Sequence, residues 1–208
     1  MKVYNDISLL SATFNRHDFT YNMLVSLYKR AQAIMPIYIL DNSDVTSFES
    51  PSNNWVHIID NTNYKHSPNY NQPSKNHCAS IEYALFNVIP TKYVLLVDND
   101  IIFQNTITHL LDCRFQYDLI GEIGHDIVPG DRLFPYMCII DLDWVKANRI
   151  HYFDEPRCIT EQKTMDTGAS FLEDCLQHNS NIYRIQLANY VVHLKGGTLH
   201  NKSMPPLK

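Results

Sequence analysis

The chain has 208 residues, 45% of them hydrophobic and 19% charged, with a formal net charge of -5. That length supports one sizeable core, and an acidic balance without clustered Lys and Arg excludes a general nucleic-acid surface, which needs a basic stripe to meet the phosphates. Cys78, Cys113, Cys138, Cys158 and Cys175 lack CxxC spacing, so they outline neither a zinc site nor a disulfide framework and read as reduced thiols of a cytoplasmic protein. No apolar stretch precedes a small-residue cleavage site, and no later run approaches the length of a transmembrane segment.

In chain order, Ile7 to Thr13 predicts a first strand. Thr20, Leu24, Leu27, Tyr28 and Ala31 then recur at helical spacing behind Asn15-Arg16-His17-Asp18. Pro36 to Leu40 predicts a second strand ending at Asp41, and Trp55 to Ile59 a third. The segment Asn61 to Pro73, rich in Asn and Pro, is the longest loop of this half. Ser74 fits the N-cap of a helix that carries Ile81, Ala84, Leu85 and Val88 on one face. A fourth strand, Lys92 to Val97, has no polar alternation, as in a strand buried on both faces. Strands separated by amphipathic helices of this length imply right-handed crossovers and a parallel sheet.

Beyond residue 103 the pattern loosens. A helix over Thr106 to Cys113, strands over Asp118 to Ile123 and Tyr136 to Ile140, and a short helix over Asp143 to Asn148 are expected. Arg149 to Met165 reads as an ordered excursion or a mobile loop. A helix from about Gly168 to Asn179 follows, with Ala169, Leu172 and Leu176 on one face, and then strands over Ile182 to Ile185 and Tyr190 to Leu194. The tail from Gly196 to Lys208 has little apolar content and is expected to be flexible or ordered only on binding.

The fourth strand runs straight into Asp98-Asn99-Asp100. Alternate residues of an extended segment point the same way, so the two carboxylates can hold Mg²⁺ or Mn²⁺ against a diphosphate. The same triplet also fits a solvated turn closing the strand. Open α/β sheets bind their ligands at the carboxyl ends of strands, which is where this triplet falls.

Together with the triplet, three further elements make the sequence resemble a nucleotide-sugar glycosyltransferase of the GT-A fold, close to glycosyltransferase family 2. They are Leu10-Ser11-Ala12-Thr13-Phe14-Asn15-Arg16, Leu40-Asp41-Asn42-Ser43 and the helix Ser74 to Leu85. The resemblance covers most of residues 7 to 103, with weaker marks near Asp166 and His193. It implies an α/β, Rossmann-like, mostly parallel sheet flanked by helices. One domain would span 1–208, with a nucleotide-sugar-binding half over 1–103 and an acceptor half over 104–208.

The family's site residues map onto this chain as follows. The loop after the first strand would lie against the nucleotide through Ser11, Thr13 and Asn15, residues that equally suit a turn and cap ahead of the helix. Asp41 would meet base or ribose, or else close an Asx-turn with Asn42 and Ser43. Many members carry Arg-Asn followed by Gly early in the next helix. This chain has His77-Cys78-Ala79-Ser80 there, so Lys75 or His77 would supply the positive group.

Asp100 is the expected metal ligand, with Asp98 reaching the ribose, or the metal through water. Val191-Val192-His193-Leu194-Lys195-Gly196-Gly197 resembles the late strand that ends in a metal-binding His, and a nitrogen ligand at His193 favours Mn²⁺ over Mg²⁺. Asp166, in Met165-Asp166-Thr167-Gly168, matches the position of the base in inverting transfer, with Asp126 the second choice and a helix N-cap the plain structural alternative. The implied activity is metal-dependent transfer from a nucleotide sugar, by family frequency a UDP-sugar, to the hydroxyl of a glycan or other acceptor. Two alternatives stay open. A sugar-phosphate nucleotidyltransferase would carry a Gly-rich loop after its first strand, and a non-catalytic nucleotide- or glycan-binding module would need no base.

Overall fold

The structure is a computed structural model, which describes residues 1–43, 47–49, 55–60, 73–125, 131–152 and 168–194. The predicted loop over 61–72, most of the excursion over 149–165 and the tail from 195 lie outside the described residues.

A two-residue strand, β1 (Lys2–Val3), precedes β2 (Ile7–Thr13), all of whose residues are buried. Helix α1 (His17–Ser26) packs Phe19, Met23 and Leu24 into the core and passes directly into a π-helical turn, Leu27–Ala31. The helical run predicted as one element is therefore two, and Gln32 ends it in the left-handed region at φ 57°. The short β3 (Ala33–Ile34) pairs with β1 and leads into β4 (Ile37–Asp41) and β5 (Val56–Asp60). Helix α2 (Pro73–Asn87) starts one residue before the predicted cap, at Ser74, because proline's fixed φ and missing N–H suit a first helical position. Its residues Cys78, Ile81, Ala84 and Leu85 are buried.

Next come β6 (Tyr93–Val97), β7 (Ile101–Phe103) and α3 (Thr108–Cys113), followed by β8 (Leu119–His125) and β9 (Asp131–Asp141). Asp141 caps α4 (Leu142–Ala147) by accepting the Trp144 N–H. Helix α5 (Ala169–Gln177) buries Phe171, Leu172 and Cys175, whereas Leu176 is 48% exposed, so its inward face is turned from the predicted one. Gly168 precedes it at φ +82°, and a Cβ there would lie 2.6 Å from the Leu133 carbonyl oxygen; only glycine fits. Strands β10 (Ile182–Arg184) and β11 (Val191–His193) complete the described chain.

Seven strands form the central sheet in the order β10-β8-β9-β6-β2-β4-β5. The first half is parallel, as the alternation of strands and helices implies, with β6, β2, β4 and β5 side by side. Strand β9 enters antiparallel between β6 and β8, so the sheet is mixed although mostly parallel. β6 is buried on both faces: Leu95 and Val97 meet the apolar layer that holds α1, and Val94 and Leu96 the layer that holds α2 and α5. Among the described residues no helix is long and apolar enough to cross a membrane.

Candidate donor and metal site

Val97 is the last residue of β6, and the acidic triplet that follows is held from three sides. The Asp98 N–H donates to the Tyr136 carbonyl on β9 at 3.3 Å. Asn99, between the two aspartates, turns inward and is buried, and its Nδ2 donates to Thr13 Oγ1 at 3.3 Å and Thr20 Oγ1 at 3.4 Å. The Asp100 carbonyl accepts the Leu194 N–H at 2.9 Å. That last bond extends the antiparallel pairing of β11 with β7, in which His193 lies opposite Ile101. The end of β11 is thereby delivered to the end of β6.

His193 Nε2 lies 3.0 Å from Asp100 Oδ1 and 3.8 Å from Asp98 Oδ2. Asp100 is 4% exposed, where a solvated turn would leave it open to water. One ligand atom from each of Asp98, Asp100 and His193 falls within 4.8 Å of the others. On the far side of Asp98, His77 from α2 places Nε2 3.8 Å from Oδ1. Burial raises the pKa of Asp98 and the charge of Asp100 raises it further, while His77, His193 and Arg132 act the other way. Two carboxylates packed together, Asp100 buried and Asp98 half-buried, are a costly arrangement that a cation relieves. Two hard oxygens and an imidazole suit a divalent metal.

The ends of β2 and β4 lie side by side, with Thr13 opposite Asp41. Asp41 is buried and uses both oxygens on the main chain, accepting from Ser43 N at 3.0 Å and Phe48 N at 2.6 Å. The first of these bonds closes an Asx-turn. Ser43 Oγ in turn accepts the Asn15 N–H at 2.9 Å and lies 2.9 Å from His17 Nε2. Asn15 is left-handed at φ 54°. Ser11 is fully buried, and among the described residues its Oγ has no hydrogen-bond partner.

The structure thus brings Asp98, Asp100, His193 and His77 into one cluster, with Thr13 tied to it through Asn99. Asn15 and Asp41 belong to the neighbouring pair of loops. Lys75 lies within α2, with its side chain outside the description, and Asp126 and Asp166 fall outside the described residues. Sequence reasoning missed Asn99, His17, Ser43, Tyr136 and Arg132. Asn99 and Ser43 stand inside quoted motifs and were legible as neighbours of the aspartates. Tyr136 and Arg132 reach the site through strand register alone.

No family model and no curated protein matches the sequence. Among solved structures, the fold is similar to Staphylococcus aureus TarS 1-349, at 16% identity and a TM-score of 0.53, over 89% of this chain and 59% of that one. It is also similar to the galactosyltransferase LgtC in complex with donor and acceptor sugar analogues, at 11% identity and TM-score 0.57, over 86% and 73% of the two chains. Mouse xyloside xylosyltransferase 1 matches at 10% identity and TM-score 0.56, over 88% and 86%. The chain spans 59% of the TarS fragment's length. The TarS fragment also has structures in complex with UDP and with UDP-GlcNAc. The chain has the GT-A fold that these glycosyltransferase structures define, a mixed α/β sheet flanked by helices.

Proposed function

We propose that the protein is a metal-dependent glycosyltransferase that moves a sugar from a nucleotide-sugar donor, a UDP-sugar, to a hydroxyl acceptor. The observation that carries this reading is the convergence of Asp98, Asp100 and His193 at the carboxyl end of β6, beside the paired ends of β2 and β4. The fold's likeness to structures that hold UDP, UDP-GlcNAc and sugar analogues supports the donor class.

Asp98, Asp100 and His193 would hold the ion, Mn²⁺ or Mg²⁺. When bound, it supplies Lewis acidity that neutralises charge on the departing diphosphate. His77 lies against the other oxygen of Asp98 and can present a positive or hydrogen-bonding group to phosphate. The Asx-turn at Asp41 and the left-handed Asn15, linked by Ser43, shape the rim where base and ribose would sit. Asp166 is the proposed base that takes the acceptor hydroxyl's proton, giving direct displacement with inversion. Its support is its place in the family resemblance.

The test is a thermal-shift panel of nucleoside mono- and diphosphates and nucleotide sugars, each with and without Mn²⁺. At a ligand concentration a hundred times Kd, binding stabilises by about 2.7 kcal/mol, which a melting curve resolves. Stabilisation by UDP and one UDP-sugar only with Mn²⁺ is expected. Equal stabilisation with and without metal would remove the cluster from the donor site. Donor binding without transfer to any hydroxyl acceptor would favour a binding module.

A further inference from the structure

His193 reaches the acidic triplet on a weak scaffold. β11 has three residues and, among the described residues, pairs only with the three residues of β7, outside the seven-stranded sheet. A two-stranded ribbon of that size is marginal by itself. Main-chain register also leaves the imidazole free to turn about χ1 and χ2, so the ladder cannot by itself hold Nε2 at the carboxylates.

Besides its contact with Asp100, the ring is stacked on Tyr136. The two ring centroids are 3.8 Å apart and the planes 15° from parallel, so one face of the imidazole is covered. Tyr136 stacks in turn on Phe134, at 5.2 Å and 7°, and the Arg132 guanidinium lies 5.1 Å from the centre of the Phe134 ring. These three side chains, at alternate residues of β9, form a column that ends on His193. Opposite Arg132 on β8 stands Gly124, where a Cβ would come within 2.7 Å of Phe134 Cε2. Glycine there gives the column its room. The main chain of Tyr136 acts on the other arm of the cluster, since its carbonyl accepts the Asp98 N–H.

We propose that Tyr136 is a positioning residue for the metal cluster, which orients the His193 imidazole by stacking on it. This rests on the metal reading given above. Residues behind a ligand that fix its orientation typically contribute ten- to a hundred-fold to metal affinity. Here the stacked tyrosine fills that role through its ring face.

The experiment has two arms. In the first, proton NMR of the wild-type protein without metal locates the His193 ring protons, assigned by their loss in His193→Ala. Shielding by the Tyr136 ring places them upfield of an exposed histidine's. His193 resonances at ordinary positions would overturn the proposal whatever metal binding shows, and this arm needs no Tyr136 variant to fold. In the second, Mn²⁺ titration followed by electron paramagnetic resonance compares wild type, Tyr136→Phe, Tyr136→Leu, His193→Ala and the Tyr136→Leu/His193→Ala pair. Tyr136→Phe should bind like wild type, whereas Tyr136→Leu should lose roughly ten-fold or more. In the His193→Ala background the Tyr136→Leu change should cost nothing further. Unchanged affinity in Tyr136→Leu, or the same loss in both backgrounds, would overturn the proposal while leaving the metal reading intact. A wild-type protein that binds no Mn²⁺ would overturn both.

Discussion

Asn15 and Ser43 join the two loops at the mouth of the sheet: the Asn15 main-chain N–H donates to Ser43 Oγ across 2.9 Å. Asn15 follows β2 and Ser43 follows β4, and neither strand by itself dictates how far its loop leans. Ser43 also donates its own N–H to Asp41, so a single residue sets both loops against each other.

Ser43→Ala should therefore loosen the donor rim more than it weakens the fold. Loss of one net hydrogen bond is worth about 1 kcal/mol, a fall of a few degrees in melting temperature. The affinity for a nucleoside diphosphate should drop several-fold. Calorimetric titration beside a melting curve checks both, and an unchanged affinity would place the nucleotide away from these loops.

Asp100 and His193 should separate in their effects on metal. Asp100→Asn keeps the size of a buried side chain, so the metal-free protein should melt close to wild type, while Mn²⁺-dependent stabilisation by UDP disappears. His193→Ala leaves the two carboxylates in place and should weaken Mn²⁺ without abolishing it. Thermal shift against increasing Mn²⁺ at saturating UDP distinguishes them. A collapse of the Asp100→Asn fold in the absence of metal would recast that residue as structural.

Asp166→Asn should leave donor binding and melting temperature nearly unchanged and lower transfer by roughly two to four orders of magnitude, the usual contribution of a placed general base. Product formation with a matched donor and acceptor measures it. Near-normal transfer would move the base elsewhere, with Asp126 the next to be tested.

Alkaline solution should destabilise the protein through two thiols. Burial raises the pKa of both Cys138 and Cys175, which therefore keep their protons in the folded chain at pH values where an unfolded thiol loses them. The folded state then binds more protons than the unfolded one, so stability is fully present below the unfolded thiol pKa of about 8.5. It falls as pH rises above that, by about 1.4 kcal/mol per pH unit for each thiol. Urea denaturation between pH 8 and 10 reads the slope. A Cys138→Ala/Cys175→Ala variant should flatten it, and an identical slope in the variant would assign it to other groups.

The parts of the fold that were legible are those specified by short-range pattern. The run Tyr93 to Val97 is apolar without alternation because both of its faces are covered, and α2 carries its buried residues at helical spacing. β9 was harder. Only Tyr136 to Ile140 reads as a strand, yet the strand begins at Asp131 and includes Pro135, a residue that normally argues against a strand interior. The triplet reads as extended chain, but β6 ends at Val97, and Asn99 and Asp100 form a turn before β7. It is this turn that buries Asn99 against Thr13 and Thr20 while Asp98 and Asp100 face His193. His193 was found through the family's late strand. Tyr136 and Arg132 had no local signature, since what makes them matter is the pairing of β9 with β6 and β8.

Because β9 lies between β6 and β8, the chain beyond residue 103 contributes a strand to the middle of the sheet that β2, β4, β5 and β6 begin. Cutting the chain after Phe103 would bare the whole hydrogen-bonding edge of β6, five apolar residues buried on both faces, which is a template for aggregation. Residues 1–103 are therefore not a transplantable cassette. Sequence change in the second half is tolerated in the connections around β8, β9 and α5, with those strands left in place.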